Sequence, residues 1–336
     1  MTVETLRHEV EQALQQLAWD LWAQLGVSGV TPARRAERAA DPEALVLFTL
    51  EVGRTEPRLF DEVLDWLALN EPLVSAQRLR NLCTTDADRM LVDATLAWVM
   101  TVRRPRSATR PGSEGSGTAE LEPLFPWLST AVTEQRDPVF AAHGLDRPPI
   151  TRSGKSRPPR LQDPIAFALR LRRLLGVGAR AEVVRTLLTI RAPWLSGRVI
   201  TASAGFAQRN VREALSQLNE AGVVDVIDVA GDRHFSVRFG QWAALLGMGS
   251  AADLPFHYDW IPAYRALTRI LRWVQQPELA DLSPYLRASQ ARSLVEAIEA
   301  DLRYLGITMS PNASREADFW EEFVQLIRLV IRSARE

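Results

Sequence analysis

Between residues 180 and 239 the hydrophobic period changes from helical to alternating, and this constrains the fold more than any other stretch. RAEVVRTLLTI (180–190) carries Val183, Val184, Leu187 and Leu188 at helical steps, and a short helical run, RVITASA (198–204), follows. Gly205-Phe206-Ala207 makes a tight turn. QRNVREALSQLNEA (208–221) then returns to the helical period with Val211, Leu215 and Leu218 inward, and Gly222 supplies a left-handed stop. VVDVIDV (223–229) alternates at period two, AGDR turns, and HFSVRF (234–239) returns. This predicts a β-hairpin in which Gly231-Asp232 provide the positive φ angles of the tip. Upstream, Asp163-Pro164 caps and starts a helix through Phe167, Leu171 and Leu174, which Gly176-Val177-Gly178 breaks.

Helix, short helix, turn, helix and hairpin is the order of a winged helix-turn-helix. In that geometry the second helix of the pair enters the DNA major groove, and its N-terminal side chains meet base edges. The residue types suit the task. The exposed start of the 208–221 helix presents Gln208, Arg209, Asn210 and Arg212, and no acidic residue occurs from 198 to 212. Gln and Asn can pair with adenine in bidentate fashion, and Arg with guanine or phosphate. Arg233 and His234 at the hairpin tip, with Arg180, Arg185 and Arg198 at the flanks, are placed to approach the phosphate backbone. The chain has a net charge of −1, but residues 160–245 carry twelve basic against seven acidic side chains, and residues 1–145 are strongly acidic. A positive segment between acidic flanks is the charge signature of a polyanion-binding module.

The run Gln208-Arg209-Asn210-Val211-Arg212-Glu213-Ala214-Leu215-Ser216-Gln217-Leu218, leaving through Glu220-Ala221-Gly222-Val223-Val224, resembles the recognition helix of winged-helix repressors. It is most similar to the gluconate-repressor (GntR) type, with its Thr-Val-Arg-Glu-Ala-Leu stretch and Leu-x-x-Glu-Gly-Leu-Val exit. Asn210 stands where those proteins have Thr, and Gln208 where they usually have Arg. MarR- and ArsR-like regulators share the pattern. The resemblance covers about 60 residues within roughly 163–240 and implies DNA binding by that segment alone.

The flanks read as helical. Leu6, Val10, Leu14, Leu17, Leu21 and Leu25 predict a helix over 3–25, and Asp41-Pro42 caps the next. Three more follow at Arg58–Leu69, Ser75–Leu82 and 86–102. The pair Arg58–Leu69 and Ser75–Leu82, with Ser75, Gln77, Arg78 and Arg80 at the start of its second helix, is a weaker second candidate for a helix-turn-helix. The expected division is an all-α domain over 1–102, a flexible loop over 103–120, an extended linker with a short helix over 121–160, the winged helix over 161–245 and a helical domain over 250–336. Within 146–160 lie two Pro-Pro pairs and Arg147, Arg152, Lys155, Arg157 and Arg160. That stretch reads as a linker rather than a phosphate-contacting arm. Ser314 is placed to cap the last helix. Its broad face of Phe319, Trp320, Phe323, Leu326, Ile327, Val330 and Ile331 suggests that part of it meets a second copy in a homodimer.

Chemistry finds little support. Cys83 is the only cysteine, and His8, His143, His234 and His257 lie far apart, so no metal site and no intrachain disulfide are expected. Ser153-Gly154-Lys155-Ser156 lacks the leading glycine and strand of a phosphate loop. Asp86 and Asp88 read as helix-capping residues, and Trp66, Trp98, Trp273 and Trp320 as core. No cofactor is expected. The N-terminus has no signal-peptide core and no run spans a bilayer, so a cytoplasmic protein with no membrane partner is expected. The chain therefore reads as a mainly α, multi-domain, non-enzymatic regulator of transcription. It would act as a sequence-specific repressor on double-stranded DNA, in a role that extends to autoregulating a toxin–antitoxin or defence operon with a protein partner. The competing class is a scaffold that uses the winged helix for protein contact.

Overall fold

The computed structural model describes residues 1–32, 35–103, 121–126, 128, 135–308 and 316–335, and the chain is mainly helical. Most of the predicted loop 103–120 and the predicted cap Ser314 lie outside the described residues. Local signals set the N-terminal helices. Thr2 caps α1 (Val3–Gln24) by accepting from the Thr5 amide, and Asp41 caps α2 (Pro42–Val52) by accepting from the Ala44 amide at 3.1 Å. α3 (Pro57–Asn70), α4 (Ala76–Leu82, capped by Ser75) and α5 (Asp86–Arg103) follow. Asp88 accepts from the Thr84 and Thr85 amides while Thr85 Oγ1 accepts from the Asp88 amide, so Asp88, of the two acidic residues read as capping, takes part in a reciprocal cap. A short parallel pair joins β1 (Glu122–Pro123) to β2 (Leu145–Asp146), with α6 (Pro138–Ala141) between them.

The middle of the chain forms α7 (Phe167–Leu175), α8 (Ala179–Ile190), β3 (Leu195–Ser196), α9 (Gly197–Ala204), α10 (Gln208–Glu220), β4 (Asp225–Val229), β5 (Asp232–Ser236) and α11 (Phe239–Leu245). Two details differ from the sequence reading. The hairpin tip is Ala230-Gly231, with φ of 50° and 87°, and not Gly231-Asp232, because Val229 pairs with Asp232 and leaves a two-residue loop between them. A third strand, β3, pairs antiparallel with β5, so the sheet order is β3-β5-β4. Two residues are too short a strand for any alternation to mark.

After this module come α12 (Trp260–Val274), α13 (Pro284–Tyr304) and α14 (Glu316–Arg335). They do not form a separate C-terminal domain. α12 packs on α1 and α2, α14 packs on α1, α12 and α13, and one continuous core joins them to α1–α5. Tyr264 of α12 stacks on Phe48 of α2 with ring centroids 4.6 Å apart. The chain thus makes two cores, a large one from its two ends and a smaller one from α7–α11 between them. Of the four tryptophans read as core, Trp66, Trp98 and Trp273 are buried and Trp320 is half-buried.

The expected dimer face of α14 is used within the chain. Phe319, Phe323, Leu326, Ile327, Val330 and Ile331 are all buried against neighbouring helices, so the stripe is broad because three helices meet it. The basic stretch 146–160 is neither a free linker nor a free arm but a strap on α3. Arg147 pairs with Asp61 at 2.6 Å, Arg152 with Asp65 at 2.7 Å, and Ser153 Oγ donates to Glu62. The Arg157 amide donates to the Gly26 carbonyl, and any Cβ at Gly26 would lie 2.4 Å from the Arg157 carbonyl oxygen. Only glycine allows that approach.

A buried cluster of charges joins the two cores. Arg78 of α4 donates to both oxygens of Asp41, to Glu43 and to the Ala204 carbonyl. Arg172 of α7 bridges Glu43 and Glu182, and Arg185 of α8 pairs with Glu182 at 2.7 Å and donates to the Ser203 carbonyl. Three guanidiniums face three carboxylates, all nearly inaccessible to solvent. Burial pushes the Asp41 carboxyl up, but Arg78 beside it outweighs burial and holds it below its usual value. Burial acts the same way on Glu182, where Arg172, Arg185 and Arg78 together hold the carboxyl far below the ordinary carboxylate range.

This cluster overturns two sequence expectations. Arg185 cannot reach DNA, because it is buried and paired. The α3–α4 pair is not a reading motif either. Ser75 and Arg78 are buried, and Arg80, although exposed like Gln77, is paired with Asp93.

Candidate nucleic-acid interface

α10 is strongly amphipathic. Val211, Ala214, Leu215 and Leu218 face its core, while Gln208, Arg212, Ser216 and Asn219 follow one another along a polar flank at steps of three and four. That flank forms one wall of an open groove of about 760 Å³. The start of α9, with Arg198 and Thr201, forms a second wall, and the hairpin, with Val226, Asp232 and Arg233, forms the third. Leu215 and Phe235 contribute apolar surface.

Four of the nine residues expected from sequence meet around this groove: Arg198, Gln208, Arg212 and Arg233. Arg209 is exposed but does not line the groove, and Asn210 is half-buried. His234 lies opposite Ile227 in the hairpin register, on the other face of the strand from Arg233, and its Nδ1 is 3.2 Å from the Asp232 carbonyl oxygen. Arg180 is exposed on the first turn of α8, away from the groove lining. Sequence reasoning missed Thr201, Ser216 and Asn219. The last two were legible as the continuation of the Gln208–Arg212 spacing, whereas Thr201 required the packing of α9 beside α10.

Many arginines elsewhere on the chain are paired. Arg54, Arg80, Arg152, Arg272 and Arg328 each hold a carboxylate partner. Among the described residues, Arg180, Arg198, Arg209, Arg212 and Arg233 are all exposed and none takes part in an ion pair. The N-terminus of α10 is also open. Ala207 offers no side-chain cap, and the first turn contains no acidic residue. Uncapped amides and the positive end of the helix dipole therefore face outward, which favours an anion. Two carboxylates oppose this. Asp232 lines the groove, and Asp228 stands opposite Arg233 in the hairpin.

The orientation of α10 is set from behind. Gly205, at φ 65°, turns the chain out of α9, and the last carbonyls of that helix accept hydrogen bonds from Arg78 and Arg185 of the buried cluster. The helix pair is thereby tied to the body of the protein through its connecting turn. Among the described residues, no group of acidic, histidine or cysteine side chains is arranged to hold a metal, and no helix is long and apolar enough to cross a membrane. No protein-family model, curated protein or solved structure matches the chain.

Proposed function

We propose that α8–α10 and the β4–β5 hairpin act as a winged helix-turn-helix that binds double-stranded DNA, and that the chain is a binding protein regulating transcription in the cytoplasm rather than an enzyme. α10 would lie in the major groove with Gln208 and Arg212 towards base edges. Arg198 and Arg233 would straddle it on the phosphates. One observation carries the reading: arginines from three separate elements converge on one groove and, among the described residues, have no carboxylate partners, in a chain that pairs many of its other arginines. Unpaired cations around a concave wall are suited to phosphate, whose condensed counterions they release on binding.

The test is enrichment of duplexes from a random or genomic library, followed by salt titration. Arg198→Ala and Arg233→Ala should each weaken binding to all sequences alike and lower the salt slope by about one. Gln208→Ala should instead cost on the order of 1–3 kcal/mol on the enriched sequence and relax preference at one position. Unchanged affinity in the Arg198, Arg212 and Arg233 triple alanine variant, with its circular dichroism intact, would refute the reading.

A protein-docking role has one specific observation in its favour. β4 is an edge strand, all its residues are exposed, and Val226, Ile227 and Val229 give it an apolar character that could accept an added strand. Arg→Ala changes at the groove would leave such an interaction intact.

A further inference from the structure

A second cavity, of about 320 Å³, opens between α2, the α4–α5 turn and α12. Its apolar wall is Leu47, Phe48, Ile261 and Tyr264. The wall is rigid, because the Tyr264 ring is stacked between Phe48 and Trp260 at centroid distances of 4.6 and 5.0 Å. The arginines that line the cavity differ in how they are paired. Arg272 is held by both Glu51 and Asp88, and Asp88 is further occupied by Thr84 and Thr85. Arg265 and Arg269 share one carboxylate, Asp301, so a positive charge is left over where both side chains are about two-fifths exposed.

We infer that this cavity binds a small amphipathic anion, with a flat apolar body against Phe48, Tyr264 and Ile261 and a carboxylate on Arg265 and Arg269. The pattern is that of a small-molecule site: an apolar, preformed wall and a few convergent polar groups. An anion here completes the coordination of two guanidiniums that Asp301 alone cannot neutralise.

The site also touches the turn that aims α10. A Cβ on Gly205 would lie 3.1 Å from Ile261 Cδ1 and 3.2 Å from the Arg78 guanidinium, so Ile261 is wedged between the cavity and the α9–α10 turn. A ligand pressing on Ile261 therefore bears on the turn that orients the helix. That this adjusts DNA affinity rests on the function proposed above; the ligand site does not.

The experiment is calorimetric titration of the full chain with 2-naphthoate and with its uncharged analogue 2-naphthamide. Naphthoate should bind at one site, about tenfold or more tighter than the amide, which is 1.4 kcal/mol. Arg269→Gln should reduce naphthoate to the level of the amide, and Thr268→Trp, which fills the cavity from α12, should abolish both. Amide hydrogen exchange at residues 203–208 should slow in saturating naphthoate. Equal affinity for the two probes, no saturable binding of either, or binding unchanged in Thr268→Trp would overturn the site. Unchanged exchange at 203–208 would overturn its link to α10. None of these readouts uses DNA, so a chain that binds naphthoate but no duplex would sink only the DNA-binding proposal.

Discussion

Arg78 is where removal of one side chain should cost most. It is 0% exposed and spends its guanidinium on Asp41, Glu43 and the Ala204 carbonyl. Arg78→Met roughly keeps the volume and removes one of three cations that face three carboxylates. A net negative charge is then left in the interior, with the last carbonyl of α9 unsatisfied. Burial excludes solvent screening, so the full penalty for breaking a buried pair applies, about 3–5 kcal/mol. Against a total stability of about 5–15 kcal/mol this is a large fraction. Adding Asp41→Asn restores charge balance and keeps a side chain able to cap α2, so the double variant should recover about 2 kcal/mol relative to additivity. The assay is urea unfolding followed by the fluorescence of the chain's ten tryptophans, among them Trp22 and Trp66, which lie 4.9 Å apart in the large core. A loss below about 1 kcal/mol for Arg78→Met, with strictly additive effects in the double variant, would refute the account of a charge-balanced buried cluster.

Two further outcomes follow from the same packing. Asp41, Glu182 and Asp88 have carboxyls held low by arginines against the upward push of burial, so their contribution to stability is complete above the unfolded value, near pH 4, and is lost as pH falls through the lower folded values. The urea midpoint should therefore hold steady from about pH 7 to about pH 5 and drop by about pH 3, and a midpoint unchanged at that lowest pH would contradict the assignment. Phe323→Glu on α14 places a carboxylate at a fully buried position, so it should destabilise the chain by at least about 3 kcal/mol rather than release a folded monomer from a dimer. Light scattering with thermal unfolding decides this, and a folded variant of native stability that halves in mass would restore the dimer expectation.

Helix starts and stops are set by short-range physics and could be read from the residues alone. Asp41, Ser75 and Gly222 are cap and stop residues whose effect is exerted within a few positions of the chain, and each ends or begins a helix as its type requires. The helical period of 208–221 fixed which side of α10 is buried, and so which side carries Gln208 and Arg212. Which arginines face solvent depends instead on long-range packing. Arg78 and Arg198 both lie near the start of a short helix and look alike in one dimension. The first is buried because Asp41 and Glu43 arrive from α2, and Arg172 finds Glu43 across 129 residues. Arg198 meets no such carboxylate among the described residues and lines the groove. The union of the two chain ends into one core, and the burial of α14 that removed its dimer face, have the same cause. Apolar periodicity states that a face must be covered. What covers it is settled by contacts between residues hundreds of positions apart, which leave no mark in any local window.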